Sequence, residues 1–306
     1  MNETDPHIKI VGVFGLEYEN IYPLNKNKNN IFMSKKKSYN DKVIRKILNC
    51  HDNALNEIKI YKLLNNNEEN KLFCNMLDYF IYDNKINIIL SYVDKSIDLF
   101  YYISINNNIG DSMFKSKQRY TNFIKICSNV ADAIKYLHDR DIVHFDIKPE
   151  NVVVCENLNI YLIDFEFSKK TEKEFKVFKI IGTPTYMSPE MMNKQNVFKY
   201  SDIFSYGIML YIIFFPHFSK NLFNDTCSNH ITKRLEYGDT IIKEIPPYML
   251  NDQFNEILTY LIELINNCIY VDVNKRFNID EVIKNINIIN NFLENNFLEK
   301  SYVKKD

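Results

Sequence analysis

The sequence predicts an α+β fold in which short strands come first and longer helices follow. Short apolar runs of strand length are concentrated in the first third of the chain. Later segments place apolar residues three and four positions apart, which is typical of helices packed on a core. The 306 residues are enough for a sizeable core and more than one sub-domain. The strands are predicted at residues 8–11, 31–37, 76–80 and 86–93, and the helices at 53–64, 120–139, 206–218 and 251–292.

The composition indicates a globular protein, with 46% hydrophobic and 25% charged residues. The formal net charge of -1 gives no sign of a nucleic-acid partner. The six cysteines form no C-x-x-C pair, which argues for a reducing compartment and against a zinc site or a disulfide framework. The polar start carries no visible secretory signal, and the longest apolar run, 206–218, is too short to cross a bilayer. We therefore expect an intracellular, cytoplasmic protein without a membrane segment.

Residues 143–151, Val-His-Phe-Asp-Ile-Lys-Pro-Glu-Asn, combine three side chains that suit phosphoryl transfer. Asp146 can accept a proton from an attacking hydroxyl, and Lys148 can neutralise charge on the phosphoryl group. Asn151 offers a neutral oxygen to a magnesium ion. Phosphoryl transfer depends on positioning and charge neutralisation more than on covalent chemistry, so this stretch predicts a catalytic loop.

The surroundings of this stretch predict a metal site. An apolar run follows at residues 152–154, and a second predicted strand at 160–163 ends in Asp164. Two short strands that hold Asn151 and Asp164 side by side would offer two oxygen ligands suited to Mg²⁺. An ordinary polar loop would not need this context, which favours the catalytic interpretation.

The stretch 143–151 closely resembles the catalytic loop of eukaryotic protein kinases, whose pattern is H-R-D-x-K-x-x-N. Residues 164–166, Asp-Phe-Glu, stand where that family has D-F-G. Residues 182–190, Gly-Thr-Pro-Thr-Tyr-Met-Ser-Pro-Glu, strongly resemble its substrate-docking loop, G-T-x-x-Y-M-x-P-E. That loop and Lys148 are similar to the serine/threonine branch of the family and not to the tyrosine branch.

The resemblance implies a two-lobed protein kinase fold over residues 8–298. A small antiparallel β lobe with one key helix would span 8–93, and a larger, mainly α lobe would span 94–298, with ATP between them. Residues 299–306 would form a short charged tail. The implied activity is transfer of the γ-phosphoryl group of Mg-ATP to Ser or Thr hydroxyls of protein substrates. ATP and Mg²⁺ are the expected cofactors, and proteins bearing Ser or Thr are the expected partners.

The resemblance also implies roles for residues of the larger lobe. Asp146 would act as the base, Lys148 would steady the γ-phosphoryl group, and Thr183 would hydrogen-bond with both. The metal ligands would be Asn151 and Asp164.

Five further residues are expected to have structural roles by the same resemblance. His144 and Phe165 would belong to a packed column, and Asp202 would accept backbone N–H bonds from the catalytic loop. Glu190 would pair with Arg276 in the core. Ser201 is a candidate cap for the helix that follows it.

A lysine on a strand of the small lobe is expected to hold the phosphates, as in the family pattern V-A-I-K. Ser34 and Lys36 fit the spacing of its small residue and its lysine best, and Lys35 is the alternative. Glu57 would pair with this lysine. A lysine triplet is also typical of a solvated strand edge.

The nucleotide is expected to lie against a glycine-containing loop and a hinge. The loop would run through residues 12–22, and the hinge would place Leu90 behind the adenine. The ATP-binding residues implied in this way are Val13, Ile21, Ser34, Lys36, Glu57, Leu90, Ser91, Tyr92, Val93 and Val153.

Three departures from the family pattern support an alternative function. The loop at 12–22 matches poorly and carries two acidic residues, so it is either a phosphate grip or an ordinary hairpin. Phe145 replaces the Arg that would pair with a phosphate on the activation loop, so a switch of that kind is not expected. Glu166 replaces a glycine. The alternative is a pseudokinase that binds partners as a scaffold with weak or no phosphotransfer, and an atypical small-molecule kinase is the third hypothesis.

Overall fold

The computed structural model describes residues 10–11, 17–25, 28–36, 41–49, 52–65, 71–107, 117–215 and 255–298. The chain divides into two units. The first comprises Met1–Ser96 and Tyr161–Ser168, and the second comprises Ile97–Ile160 and Lys169–Asp306. The α+β prediction is confirmed, since an antiparallel sheet dominates the first unit and helices dominate the second.

The first unit is built on one sheet. Its strands form an antiparallel ladder, and the turn between the last two is Asp83-Asn84, as predicted. Both turn residues have positive φ, 49° and 57°, which a two-residue hairpin of the favoured twist requires. The strands are β1 (Ile10–Val11), β2 (Glu17–Asn25), β3 (Lys28–Lys36), β4 (Asp41–Asn49), β5 (Met76–Tyr82) and β6 (Lys85–Ser91), in the spatial order β1-β2-β3-β4-β6-β5.

The sequence prediction misses β2 and β4. Strand β4 reads Asp-Lys-Val-Ile-Arg-Lys-Ile-Leu-Asn, in which Arg45 and Lys46 interrupt any apolar pattern. Both side chains are nevertheless buried, because the sheet brings them polar partners from distant parts of the sequence. A periodicity argument counts such charges as exposed and so fails at this strand.

Helix α1 (Asp52–Asn65) of the first unit confirms the prediction at 53–64. Its buried face includes Ile58, Tyr61 and Leu64, as expected, whereas Leu55 is 42% exposed. At its end the side chain of Asn65 donates to the carbonyl of Met76 at 2.6 Å and accepts from its N–H at 3.2 Å. This pair of bonds fixes the end of α1 to the start of β5.

The second unit is mainly helical. In α3 the predicted apolar stripe, Ile124 to Leu137, is buried along its whole length. The predicted buried run beginning at 206 is also confirmed: α5 is buried from Ser201 to Phe214. The helices with described bounds are α2 (Leu99–Asn107), α3 (Lys117–His138), α4 (Pro189–Met192), α5 (Lys199–Phe214), α6 (Asn255–Cys268) and α7 (Ile279–Leu298).

Short strands connect these helices. Antiparallel pairs join β8 (Ile142–Val143) to β11 (Lys169–Lys170), and β12 (Phe175–Lys176) to β13 (Asn196–Val197). These two pairs anchor the segment that follows residue 168 at both of its ends. The strands predicted at 152–154 and 160–163 are confirmed as β9 (Val152–Cys155) and β10 (Ile160–Leu162), and β7 (Ser96–Asp98) precedes α2.

In the part of the chain that the structure describes, no helix combines the length and the apolar character needed to span a bilayer.

Replacing Gly207 by Ala tests the packing of α5 against α6. A Cβ at this position would lie 2.6 Å from the Cβ of Cys268 and 2.7 Å from Cγ2 of Ile269. Ala normally stabilises a helix interior by about 1 kcal/mol relative to Gly. We expect the reverse here, a loss of about 1–3 kcal/mol in the free energy of unfolding because the core is overpacked. Urea denaturation measures it, with the exposed Asn287→Ala on α7 as control; a Gly207→Ala chain as stable as the wild type would contradict the close approach.

Candidate active site

The catalytic loop brings its three predicted side chains together in the second unit. The Nζ of Lys148 donates to Oδ2 of Asp146 at 2.7 Å and to Oγ1 of Thr183 at 2.6 Å. Thr183 donates in turn to Oδ1 of Asp146 at 2.7 Å. The predicted contacts of Thr183 with both residues are confirmed. The carboxylate of Asp146 is therefore held on both oxygens and its direction is fixed, as a group that orients a hydroxyl must be.

Asn151 supports this carboxylate from the other side. A short 3₁₀ turn, Pro149–Asn151, follows Lys148 and directs the amide of Asn151 back to the loop. Its Nδ2 donates to the carbonyl oxygen of Asp146 at 2.8 Å and to its Oδ2 at 3.0 Å. Both amide hydrogens are thus engaged, and the amide oxygen remains as a neutral acceptor.

Asp202 on α5 holds the backbone of the loop. Its Oδ2 accepts from the N–H of His144 at 2.9 Å, and its Oδ1 accepts from the N–H of Phe145 at 2.8 Å. His138, at the end of α3, places Nε2 2.9 Å from Oδ2. The predicted role of Asp202 as an acceptor for the loop is confirmed. All four residues are buried, and a buried carboxylate needs such donors to offset its lost hydration.

The backbone at Phe145 has an uncommon conformation that sets the direction of the catalytic loop. Phe145 has φ +62°, a left-handed conformation that is uncommon for a bulky residue. Gly182, at φ +87°, lies so close that a Cβ there would meet the carbonyl oxygen of Phe145. The next residue, Thr183, is thereby brought to Asp146. Only glycine fits at 182, which gives a physical reason for the glycine in the docking-loop pattern.

The aromatic ring of Phe145 has a partner in the following segment. It contacts the ring of Phe175 edge to face, with centroids 5.7 Å apart, and the Nζ of Lys169 lies 3.4 Å from the centroid of Phe175. Phe145 is fully buried. Where the family pattern has an Arg, this chain therefore places an apolar contact with β12.

Glu190 and Arg276 form the predicted pair. Nη1 of Arg276 donates to Oε1 of Glu190 at 2.8 Å, and Nη2 donates to Oε2 at 3.1 Å. Ser201 also donates to Oε1, at 2.9 Å. Its predicted role as a helix cap is wrong, because α5 begins two residues earlier, after Phe198, and Ser201 lies inside the helix.

In the first unit, Glu57 pairs with Lys46 and not with Lys36. The Nζ of Lys46 lies 2.9 Å from both carboxylate oxygens of Glu57 and 2.7 Å from Oδ1 of Asp164. The prediction that Glu57 holds Lys36, or its alternative Lys35, is wrong. Lys36 lies at the end of β3, where its Cα partners are Tyr18 and Asp41.

The sheet explains this correction. Strand β4 lies between β3 and β6, so the strand that presents a lysine to α1 is one strand later than expected. Ser34 is fully buried in β3, opposite Val43, and Ile44 stands two residues before the paired lysine. Lys46 precedes Glu57 by 11 residues in the sequence. Its strand was not predicted because β4 lacks an apolar pattern.

The charges of this cluster shift its pKa values. Burial raises the pKa of Glu57 to about 7, against the effect of Lys46, which lowers it. The negative charges of Asp164 and Glu166 raise this pKa further. Burial also lowers the pKa of Lys46, but the two carboxylates that it contacts outweigh burial and hold the pKa above its usual value. Glu166, in the place of a glycine, therefore acts on the ion pair through its charge.

The other predicted ATP-binding residues have mixed outcomes. Val13 lies outside the described residues. Ile21 lies on β2 at an irregularity of its pairing with β3, and its side chain is not among those described. Val153 is half-buried on β9.

The predicted hinge residues lie at the end of β6 and just after it. Leu90 is buried on β6, between Ile44 and Met76. The N–H of Ser91 donates to the carbonyl of Asn75 at 2.8 Å, and the contact of the Ser91 to Val93 backbone with adenine stays a prediction. The carbonyl of Val93 accepts from the hydroxyl of Ser96 at 2.8 Å, and the ring of Tyr92 lies 5.5 Å from the Nζ of Lys42.

The two residues predicted for a packed column are both buried. Phe165 contacts the rings of Tyr61 and Phe73 edge to face, at centroid distances of 5.1 and 5.7 Å. In the second unit, Nδ1 of His144 accepts from the N–H of Asp146 at 3.2 Å. His144 thus fixes the backbone of the residue predicted to act as the base.

The residues predicted to hold Mg²⁺ have donor groups that fit this ion. Asp164 offers a carboxylate whose side chain is 31% exposed, and Asn151 offers the amide oxygen described above. Mg²⁺ takes oxygen ligands and is commonly held by one or two protein groups together with substrate phosphates. Among the described residues, no group of three or more His, Cys, Asp and Glu side chains forms an all-protein metal site.

Comparison with known proteins gives a family and several relatives. A family model for the protein kinase domain matches residues 15–286. A protein of Acanthamoeba polyphaga mimivirus whose name is that of a serine/threonine-protein kinase is 38% identical over 136 residues, which make up 42% of this chain and 46% of that protein. MAP kinase-activated protein kinase 2 of Drosophila melanogaster is 30% identical over 181 residues, 58% of this chain and 47% of that protein. Serine/threonine-protein kinase nekl-2 of Caenorhabditis elegans is 29% identical over 174 residues, 56% of this chain and 48% of that protein. The chain thus spans less than half the length of each of these relatives.

Arg276→Met tests the buried pair with Glu190. Burial raises the pKa of Glu190, but the hydrogen bond and charge of Arg276 outweigh burial and hold the pKa below its ordinary value of 4.5. A carboxylate with a lowered folded-state pKa contributes stability above pH 4.5. This contribution is lost as the pH falls below 4.5 and through the folded-state pKa. We expect Arg276→Met to cost about 3–5 kcal/mol at pH 7, because Glu190 is left buried without its partner.

Urea denaturation at pH 7 and below pH 4.5 measures this cost, which should shrink in acid. The control is Lys135→Met, which removes exposed pairs with Asp139 and Asp280 and should cost under about 1 kcal/mol. Equal costs for the two variants would contradict a buried ion pair at Glu190.

Proposed function

This chain belongs to the protein kinase domain family, and on that basis we propose that it is a serine/threonine protein kinase that uses Mg-ATP to phosphorylate protein substrates. The observation that carries this proposal is the cluster of Asp146, Lys148 and Thr183, in which each side chain lies within 2.7 Å of the other two. The names of the mimivirus and Caenorhabditis elegans relatives support the serine/threonine class. The docking-loop sequence at 182–190 supports a polypeptide substrate.

Each side chain of this cluster has a definite task in the proposed reaction. Asp146 orients the substrate hydroxyl and accepts its proton as the oxygen attacks. Lys148 balances negative charge on the transferred group, and Thr183 keeps the carboxylate and the ammonium in place. Asp202, through the N–H groups of His144 and Phe145, fixes the backbone that carries Asp146.

Further groups are proposed to bind the nucleotide and its metal ion. Lys46 is proposed to hold the phosphates of ATP, and Glu57 keeps its ammonium group in position. Asp164 and Asn151 are the proposed ligands of Mg²⁺, which when bound neutralises charge on the phosphates. Leu90, Tyr92, Val93 and Val153 are proposed to line the adenine.

A scaffold without phosphotransfer is the second candidate function, because one observation favours it. The hairpin of β2 and β3, which directly precedes the lysine strand, contains no glycine. Glycine allows the backbone to approach phosphates closely, and its loss would weaken the hold on ATP. The groups needed for transfer are nevertheless present, so we favour the enzyme.

Asp146→Asn separates these two functions. The amide keeps the size of the carboxylate but cannot accept the proton, so we expect phosphate transfer to fall by about 10²–10⁴-fold. Mass spectrometry of a mixed Ser/Thr peptide pool incubated with Mg-ATP measures transfer, and circular dichroism confirms the fold. If the variant transfers phosphate as fast as the wild type, Asp146 is not the base.

Lys46→Met and Lys36→Met decide which lysine holds ATP. We expect Lys46→Met to lose the rise in melting temperature that Mg-ATP produces and to lower transfer by about 10²–10³-fold, because a charge aimed at the phosphates is removed. Lys36→Met, on the neighbouring strand, should change either quantity by less than about twofold. The opposite order of effects would reject Lys46.

A further inference from the structure

The segment that precedes the docking loop is strongly basic. From the start of β11 to residue 181 it carries five lysines against two glutamates, whereas the whole chain has a formal net charge of -1. A local excess of one charge on a nearly neutral protein creates a field that attracts the opposite charge. The five lysines are Lys169, Lys170, Lys173, Lys176 and Lys179.

These lysines are exposed, and none of them forms an ion pair with a residue that the structure describes. Lys169 instead lies over the ring of Phe175. Two lysines elsewhere in the second unit are engaged: Lys148 pairs with Asp146, and Lys199 pairs with Asp141. The ammonium groups of the segment are therefore able to meet carboxylates brought by another molecule.

Apolar side chains stand between the lysines and face solvent. Phe178 is 81% exposed and Ile180 is 51% exposed, while Val177 between Lys176 and Phe178 is buried and anchors the segment. Of the described large apolar residues none is more exposed than Phe178. An exposed aromatic residue ringed by polar groups is typical of an interaction site and not of a solvated edge.

This surface directly precedes, along the chain, the residue that binds the carboxylate of Asp146. Thr183, bound to Asp146 and Lys148, follows Phe178 by five residues and Lys179 by four. Five residues span at most about 18 Å of extended chain. The middle of the segment is held by the pairing of Phe175 with Val197 and by the contact of Phe175 with Phe145. A peptide whose hydroxyl reaches Asp146 therefore passes within reach of Lys176, Phe178 and Lys179.

We propose that this segment selects protein substrates whose acceptor Ser or Thr is flanked by acidic residues and an apolar side chain. The inference rests on the proposed kinase function and names its substrate class. Lys176 and Lys179 contact the acidic residues, and Phe178 contacts the apolar one.

The competing charge is that of Asp98 and Glu150: burial raises the pKa of Glu150, and the charges of Asp146 and Asp98 raise it further. These two carboxylates, together with Glu172 and Glu174 of the segment, would favour a basic peptide, but five lysines oppose them.

The test compares three peptides of equal length with one central Ser. One carries Asp and Glu with a Leu, the second carries Arg with a Leu, and the third is neutral. We expect the acidic peptide to have a kcat/KM about tenfold higher than the Arg peptide at low salt, since several exposed pairs each contribute a factor of up to about five. This preference should decline as salt is raised, because exposed charges are screened.

Charge reversal assigns the effect to the segment. The double variant Lys176→Glu, Lys179→Glu should lose the preference through KM, with kcat within about twofold of the wild type, because neither lysine touches the reacting groups. The matched control is the double variant Lys275→Glu, Lys284→Glu, which changes two exposed lysines elsewhere in the second unit. This control should keep the preference for the acidic peptide. Phe178→Ser should raise KM for the Leu-containing acidic peptide without changing its salt dependence.

The outcomes separate this inference from the proposed function. Phosphate transfer without a preference for the acidic peptide, or with a preference for the Arg peptide, overturns the inference and leaves the kinase function intact. If the wild type transfers phosphate to none of the peptides, the kinase function fails, and fluorescence anisotropy of the same labelled peptides then decides whether the surface binds acidic chains. Equal binding of all three peptides overturns the inference about the surface. Displacement of the acidic peptide by an equal concentration of single-stranded RNA overturns it as well.

Discussion

The buried carboxylate of Asp202 is the constraint on which the second unit depends. A charge removed from water must find donors, and Asp202 finds them in the N–H groups of His144 and Phe145 and in the ring of His138. These bonds tie α5 and α3 to the catalytic loop. They also hold Phe145 in a left-handed conformation, next to the residue whose carboxylate is proposed to orient the substrate hydroxyl. Hydrogen bonds within the protein thus hold the loop in place, which is the condition for catalysis by positioning.

In two further clusters, buried charged groups also have partners from distant parts of the sequence. Glu190 and Arg276 join α4 to the turn before α7, and Lys46 joins Glu57 and Asp164 within the first unit. A buried ion pair adds little net stability compared with a well-packed apolar contact, but removing one partner is costly. We infer that such pairs specify which segments meet. In the first unit the arrangement keeps an ammonium group and a carboxylate close together, as the proposed binding of phosphate and Mg²⁺ requires.

Phe145 shows how a departure from a family pattern changes the surroundings of the site. An Arg at this position would pair with a phosphate on the activation loop, whereas Phe145 contacts Phe175 directly. Residues 172–182 contain no Ser, Thr or Tyr, so this stretch offers no hydroxyl for phosphorylation. The segment is instead held by strand pairing and aromatic packing, and its lysines face outward. We therefore propose that these lysines contact a substrate and not a phosphate of the protein itself.

The sequence by itself determined the fold class, the helices at 53–64 and 120–139, and the contacts of Asp146, Lys148, Thr183, Asp202, Glu190 and Arg276. These contacts join motifs that are 35 to 86 residues apart, so the resemblance of the motifs to the kinase family implied them, and local backbone geometry alone did not. The lysine that pairs with Glu57 was decided only by the tertiary structure. Lys36 and Lys46 both lie on strands, and the order of β3, β4 and β6 in the sheet selects between them. The physical reason is that a charged side chain in a strand has no preferred face until distant residues supply its partners: Glu57 and Asp164 bury Lys46, and Asn87 binds its neighbour Arg45.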